Sequence, residues 1–549
     1  MRHAAALFLL AAVVPLAGCE GCNETAPVRF LEPPPGSMLP AGVPVRVRIS
    51  SSETPVEFQG ERLEGSGPWT VDVDPVDGLG VLVAEVPGNP LIAVRSYHQG
   101  RYRPPHDFHA GVMRLALGPD AVSGGDGTLA ALVGGLLADA ELESFVDEPL
   151  TMSVTVGLPV AVQVYVDSVT TPSAAVALTP VEGSIDFEAS LTDVLVDYRA
   201  TASALNSSGT ARYDTMTVRG TATLTTEAVT LSDVTSEHSD PEIVDAGGLP
   251  PAGVASLATL LNDELPEAIA AAAERAANAV VVRLLTDLRP TVGVAFDHPI
   301  TQRIEPDGVA VTAAGLAMTY RARIEAATPA VAAADHGVLE RAAGPAVDGA
   351  GVQVGVGSAL VNPFAFAVWD AGNFADLSFS KAELESLGME TLEFPYSNLQ
   401  SADLSLLLPP ILEWAPDGPR LEIGGIEIRL TVTGYGETRA WTAASVPVAL
   451  RQDGANLRLV VDEARSVTLQ DAGFEAMSTL VDQNKVLQLL RTAVPGVVGE
   501  VFGDLPALEL TPIPLTRLDG TAGPVVRPSL SAVAPADRGW ILTVALDVE

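Results

Sequence analysis

The one histidine cluster of the chain, His98, His106 and His109 with Asp107 between the last two, lies in a proline-rich junction where a Zn²⁺ ion could be drawn. Histidines exposed in such a junction need no ligand, and no metal site is expected there. Asp72, Asp74 and Asp77 before Gly78 could offer oxygens to Ca²⁺, but their spacing departs from the EF-hand loop and no glutamate closes it. A turn between strands is the expectation. A serine nucleophile elbow needs GxSxG, and Gly355, Gly357 and Ser358 do not fit that spacing. The chain also lacks HExxH, GxxxxGK and a GxGxxG that opens a helix after a strand. Seven histidines in 549 residues leave little general-base chemistry, so neither an enzyme nor a cofactor is expected.

Cys19 is the side chain whose surroundings do point to chemistry. A basic start at Arg2 and His3 is followed by about a dozen apolar residues, too few to span a bilayer. Leu16, Ala17, Gly18 and Cys19 resemble the lipobox at which bacterial lipoproteins are cut and acylated. Residues 1–18 are then a signal peptide and Cys19 the mature, lipidated N-terminus. Each buried CH₂ contributes about 0.8 kcal/mol, so two or three chains hold the protein to a membrane. With Cys19 acylated, Cys22 has no partner and no internal disulfide is possible. Glu20 is not the aspartate that retains many such proteins in the inner membrane, which favours the outer membrane of the bacterial cell envelope, on its periplasmic or surface face.

The formal charge is −38, from 31 basic and 69 acidic residues, with lysine only at Lys381 and Lys485. Nucleic-acid binding needs a basic stripe to neutralise phosphates, and none exists. The acidity reads as a solvated surface. A hydrophobic content of 47% over this length fills more than one core.

The elements fall into a definite order. Five prolines between Pro27 and Pro40 place an extended tether at 19–40. Short alternating segments from 41 to 108 have the spacing of a small immunoglobulin-like β-sandwich, with Trp69 in its core. From 109 to 327 come a strand at Val112–Leu117, an amphipathic helix, and long strands at Val154–Val166, Ile185–Val196 and Thr215–Val234. The helix carries Leu129, Leu132, Val133 and Leu136 on one face. A long helix follows, with Leu257, Leu260 and Leu261 before a kink expected at Pro266 and Ile269 and Ala273 after it. Alanine-rich residues 328–347 read as a linker. Residues 348–549 repeat the order. Val352–Val356 is a strand, and a helix is capped by Asn362, opened by Pro363 and ended by Gly372. Val361, Phe364 and Val368 lie at this helix, strands follow, and a final helix from Met477 carries Leu480, Leu487, Leu490 and Val494. An internal duplication explains the repetition.

On Gly111–Leu117, Val352–Phe374 (VQVGVGSALVNPFAFAVWDAGNF) and Gly503–Val548, this order resembles the two-barrel tubular lipid-binding family of bactericidal/permeability-increasing protein, lipopolysaccharide-binding protein and cholesteryl ester transfer protein. The resemblance implies an α+β fold: the sandwich, then two tandem tubular barrels. Each barrel is a highly twisted antiparallel sheet wrapped round a long helix plus a shorter one. It also implies an apolar slot in each barrel that takes a phospholipid or other acyl-chain lipid. The lining would be the nine helix residues from Leu129 to Ala273 in the first barrel and the seven from Val361 to Val494 in the second. A C16 chain would gain roughly 12 kcal/mol before ordering costs. The cysteines of the animal proteins' first-barrel disulfide are missing, and excess acid replaces their basic tip, so capture of endotoxin by charge is not expected. Ala268, Ala272, Ala273, Ala276 and Ala277 make room for a guest or let the helix pack closely on the sheet. A structural or adhesive lipoprotein with filled barrels is the alternative to a lipid binder.

Overall fold

The computed structural model describes residues 23–125, 127–156, 158–202, 205–288, 290–293, 298–330, 337–347, 349, 351–375, 377–386, 399–433, 436–453, 456–462, 466–478 and 507–549. Cys19, Leu480, Leu487, Leu490 and Val494 lie outside them, as does the segment 1–18 read as a signal peptide.

Two first strands meet at the middle of the molecule. His109–Leu117 pairs antiparallel with Val352–Gly357, Leu115 standing opposite Val354 and Leu117 opposite Val352. Outward from this pair the order is the same on both sides. His109–Leu117 takes Gly315–Ala326 and then Ile300–Thr312, while Val352–Gly357 takes Gly539–Val548 and then Ala522–Ala536, with Ile513–Thr516 at that edge. Each half thus returns its closing hairpin to its own first strand. In Gly539–Val548, Trp540, Leu542 and Val544 are buried in alternation, as period-2 patterning requires.

Each half then sends a curled antiparallel sheet to one side. The first sheet runs Leu150–Val156, Leu158–Thr170, Ser184–Ala202, Leu205–Leu224, Val229–His238, with Ser173–Val181 and Glu242–Asp245 on branches. The curl has a local cause in Ser184–Ala202. Ile185, Phe187, Ala189 and Leu191 are buried at odd positions, but Val194, Val196, Tyr198 and Ala200 at even ones. Between them Asp193 sits at φ 53°, a left-handed residue that resets which face points inward and bends the strand. The segments expected as single strands at 154–166 and 215–234 are both parts of hairpins, with Val156 paired to Leu158 in the first and a turn at 225–228 in the second. The second sheet has ten strands and takes in two from elsewhere, Pro290–Gly293 of the first half and Asn23–Thr25.

One helix ends on its expected signal, and another opens on a cap the sequence reading did not name. Thr128 caps Leu129–Ala138, its hydroxyl oxygen accepting from Ala131 N–H at 3.3 Å. Gly372, at φ +86°, ends Ser358–Asp370. The start of that helix differs from expectation. It runs from Ser358 directly out of the preceding strand, so Pro363 is interior and Asn362 is no cap. Instead buried Asn362 accepts from Leu412 N–H at 2.7 Å, tying the helix to Ile411–Ala415. Met477, expected on the final helix, stands in the strand Thr468–Ser478 opposite Glu24. The long helix of the first half spans 37 residues: Pro251–Ala277, a π turn at Asn278–Val282, and Arg283–Asp287, with Pro266 inside it.

The proline-rich segment is not a tether from residue 23 on. Val28–Glu32 and Met38–Pro40 are strands of the N-terminal sandwich, whose sheets are Val28–Glu32, Val45–Ser51, Trp69–Val73 and Met38–Pro40, Ala93–Gly100, Gly78–Glu85, Val56–Phe58, Glu61–Leu63. Val47, Ile49, Val56, Trp69, Leu82 and Tyr97 fill a core separate from that of the two halves. Nor does the sandwich stand away from the body. Ser96 Oγ accepts from Gly425 N–H at 2.6 Å, Phe474 N–H donates to Ile92 C=O at 3.0 Å, and Tyr102–Arg103 pairs with Val338–Leu339 of the segment read as a linker.

Candidate functional site

A curled sheet that does not close has two free edges and an open side, and here the long helix lies across both. Its N-terminal half packs on Leu150–Val156, where Gly253 adjoins Val154 and Ser256 Oγ donates to Ser153 C=O at 3.4 Å. Its C-terminal half packs on Val229–His238. There Leu231 N–H donates to Glu274 Oε2 at 2.8 Å, while the Asn278 amide accepts from Val229 N–H and donates to Val229 C=O, both at 2.7 Å. Under the helix Tyr213 Oη donates to Asn262 Oδ1 at 2.9 Å, and its ring meets His238 edge-on at 6.1 Å. Burial pushes the Tyr213 hydroxyl pKa up, so it stays a donor. On the outer side the Glu264 carboxyl is raised by partial burial, with Glu267, Asp147 and Asp263 adding to it.

Eight of the nine first-half residues nominated from the sequence face inward. Leu129, Leu132, Val133 and Leu136 of the short helix and Leu257, Leu261, Ile269 and Ala273 of the long one are buried in one cluster, and Leu260 is half-buried beside it. The alanines at 268, 272, 273, 276 and 277 are buried too. An open slot wide enough for an acyl chain leaves its walls accessible to a water-sized sphere. Val133, Leu257, Leu261 and Ala273 are 0% exposed, so no open slot borders them. In the second half Phe364 and Val368 are buried and Val361 is half-buried, with Trp369 Nε1 donating to Leu406 C=O at 2.8 Å. The final-helix residues that would complete that half lie outside the described residues.

Sequence reasoning found the apolar faces and missed the polar groups that position them: Asn262, Glu274, Asn278 and Tyr213. Asn278 left a signal. It interrupts the run AAAAERAANAVVV, where an amide disfavours helix and gains nothing by burial unless it finds partners. The histidines are not brought together: His98 is buried in the sandwich, His106 is exposed beside Asp107, and among the described residues no three His, Cys, Asp or Glu side chains form a metal-ligand group.

No protein-family model and no curated protein matches this chain. Among solved structures, lipopolysaccharide-binding protein superposes with a TM-score of 0.40 at 11% identity, covering 80% of this chain and 99% of that one. P47 of Clostridium botulinum E1 superposes at 0.21 and 7%, covering 80% and 100%. P47 of Clostridium botulinum A2 does so at 0.24 and 8%, covering 80% and 97%. Superpositions this loose support no functional argument, and what the chain does has to be argued from its own residues.

Proposed function

We propose that this is a bacterial envelope lipoprotein that binds or shuttles an acyl-chain lipid at the helix seam of its first half, as a carrier and not an enzyme. The supporting observation is the construction of the seam. The open side of an apolar curled sheet is closed by a helix whose buried face narrows to Ala268, Ala272, Ala273 and Ala276. Four side chains, Ser256, Asn262, Glu274 and Asn278, make its polar contacts with the sheet. Lifting the helix by a side-chain width would open a groove over the strand Leu205–Leu224, where Tyr213 meets Asn262, which a lipid tail would fill at about 0.8 kcal/mol per CH₂. The seam is closed when empty, so uptake requires that movement. Phe364 and Val368 would serve a second tail in the other half.

The anchor rests on the lipobox-like residues Leu16 to Cys19, and the fold bounds how far it could reach. Four residues of chain from Cys19 to Asn23 reach at most about 14 Å, and Asn23 is paired with Ser478. A lipid on Cys19 therefore holds the second half against the bilayer with no stalk between them, on the outer membrane if Glu20 is read as above.

The full packing at Val133, Leu257, Leu261 and Ala273 favours the alternative, a structural or adhesive lipoprotein with no lipid ligand. Native mass spectrometry of the Cys19→Ala protein separates the two. Co-purifying phospholipid or fatty acid supports the carrier; a clean apo mass, with no uptake of a fluorescent lipid, supports the alternative.

A further inference from the structure

Away from the seam, a cleft of about 710 Å³ opens where the sandwich, the segment leading into the first central strand, residues 339–342 and the helix Ser358–Asp370 meet. Its walls are polar in a way the rest of this acidic chain is not. Of 31 basic residues, Arg101, Arg103 and Arg341 converge here, with His109 between them and Asp77 and Glu340 opposite. Two of the arginines are committed. Arg103 pairs with Glu340, and Arg341 bridges Asp77 of the sandwich, at 2.9 Å, to Glu413 of the second half. Arg101 has no carboxylate partner among the described residues, although its backbone carbonyl is fixed by Glu340 N–H at 2.8 Å.

His109 is 6% exposed, and its Nε2 has no hydrogen-bond partner among the described residues. Burial, then the charge of Arg103, holds its pKa below the usual histidine value, so the ring is neutral.

We infer that this junction cleft binds a small ligand carrying one oxyanion group, a phosphate or a carboxylate, with Arg101 as the cation that meets it and the buried, neutral His109 ring as part of its wall. Ligand sites concentrate at such domain junctions, where a few polar groups converge in a concave space. The chain's charge of −38 narrows the class, because a polyanion is repelled by the whole surface while a single oxyanion reaching Arg101 is not. The ligand would touch the sandwich and both halves at once, so its binding would hold the sandwich in place. This inference is independent of the seam.

The test is titration of the full Cys19→Ala protein, at constant ionic strength set with NaCl, with inorganic phosphate, with acetate, and with phosphatidylglycerol vesicles against phosphatidylcholine vesicles. Saturable binding of phosphate or acetate, weakened at least tenfold by Arg101→Gln, is the expected result. Competition by phosphatidylglycerol vesicles alone would identify a lipid headgroup as the source of the oxyanion, and its absence a free small anion. Arg101 is exposed and its side chain makes no ion pair among the described residues, so R101Q should fold, which an unchanged melting temperature without ligand checks. Absence of saturable binding by all the probes, or an affinity unchanged in R101Q, would overturn the inference.

Discussion

The Asn278 side-chain amide completes a two-bond ladder step with Val229, accepting from its N–H and donating to its C=O, both at 2.7 Å. A helix residue thereby does the work of a neighbouring strand on the free edge of Val229–His238, an edge that would otherwise present unpaired groups. Glu274, one turn earlier, takes the next outward N–H, of Leu231. Among the described residues, the edge at Leu150–Val156 is held by apolar packing and by a 3.4 Å contact from Ser256 Oγ to Ser153 C=O, a hydroxyl that also donates to Ala252 C=O of its own helix at 3.0 Å. The seam is fastened along one side and loose along the other.

Asn278→Leu therefore orphans two groups of buried Val229 and should lower unfolding free energy by about 2 to 4 kcal/mol, read from urea denaturation. Ser256→Ala should cost under about 0.5 kcal/mol, in the range of ordinary surface substitutions. Equal effects of the two changes would show that the fastening is not one-sided.

Ala273→Leu tests the packing of the seam. With no free volume beside Ala273, three added carbons should cost about 1 to 3 kcal/mol through overpacking. Lipid content should fall at the same time, since the added side chain occupies the groove the tail would use. A variant as stable as the parent and carrying as much lipid would place the tail elsewhere.

His98 gives the sandwich a pH dependence. Complete burial, aided by the charge of Arg341, lowers its pKa from 6.5 to about 3. The unfolded chain therefore binds the proton first between those values. His98 does not weaken the fold above about pH 6.5, and stability is lost as pH falls from there towards 3, by about 1.4 kcal/mol per pH unit in the lower part of the window. His98→Phe should flatten that part of the curve of melting temperature against pH; an unaltered curve would assign the slope to the carboxylates.

Arg341→Met should loosen the sandwich from the body. Glu413, whose carboxyl is already raised by burial against the opposing pull of Arg341, would lose its partner, and Asp77 its link across the junction. Breaking such a pair costs about 3 kcal/mol where it is buried. New proteolytic cleavage within 101–108 is the expected sign, and an unchanged digestion pattern would mean that Ser96 and the Tyr102–Arg103 pairing suffice.

What was legible in the sequence was local. Gly372 announces a helix end because a left-handed glycine acts within a turn of itself, and the alternation around Trp540 shows its buried side by period alone. What was not legible was set from far away. Asn23 finds its strand partner at Ser478, so a proline-rich segment that reads as extended chain is extended and paired. Asn362 looks like a cap, yet its partner is Leu412. The faces of Leu257 and Ala273 were readable, but periodicity shows which side is apolar, not whether a slot or a neighbour meets it.

The most direct test is photo-crosslinking of the purified protein with a phospholipid carrying a diazirine in its acyl chain, followed by mapping of the labelled peptides. The account predicts labels concentrated in 251–287 and in the strand Leu205–Leu224, reduced by Ala273→Leu and accelerated by Asn278→Leu. Labels confined to the outer surface, or none above the level of a photolysed control protein, would contradict it and leave the first half as a filled structural barrel.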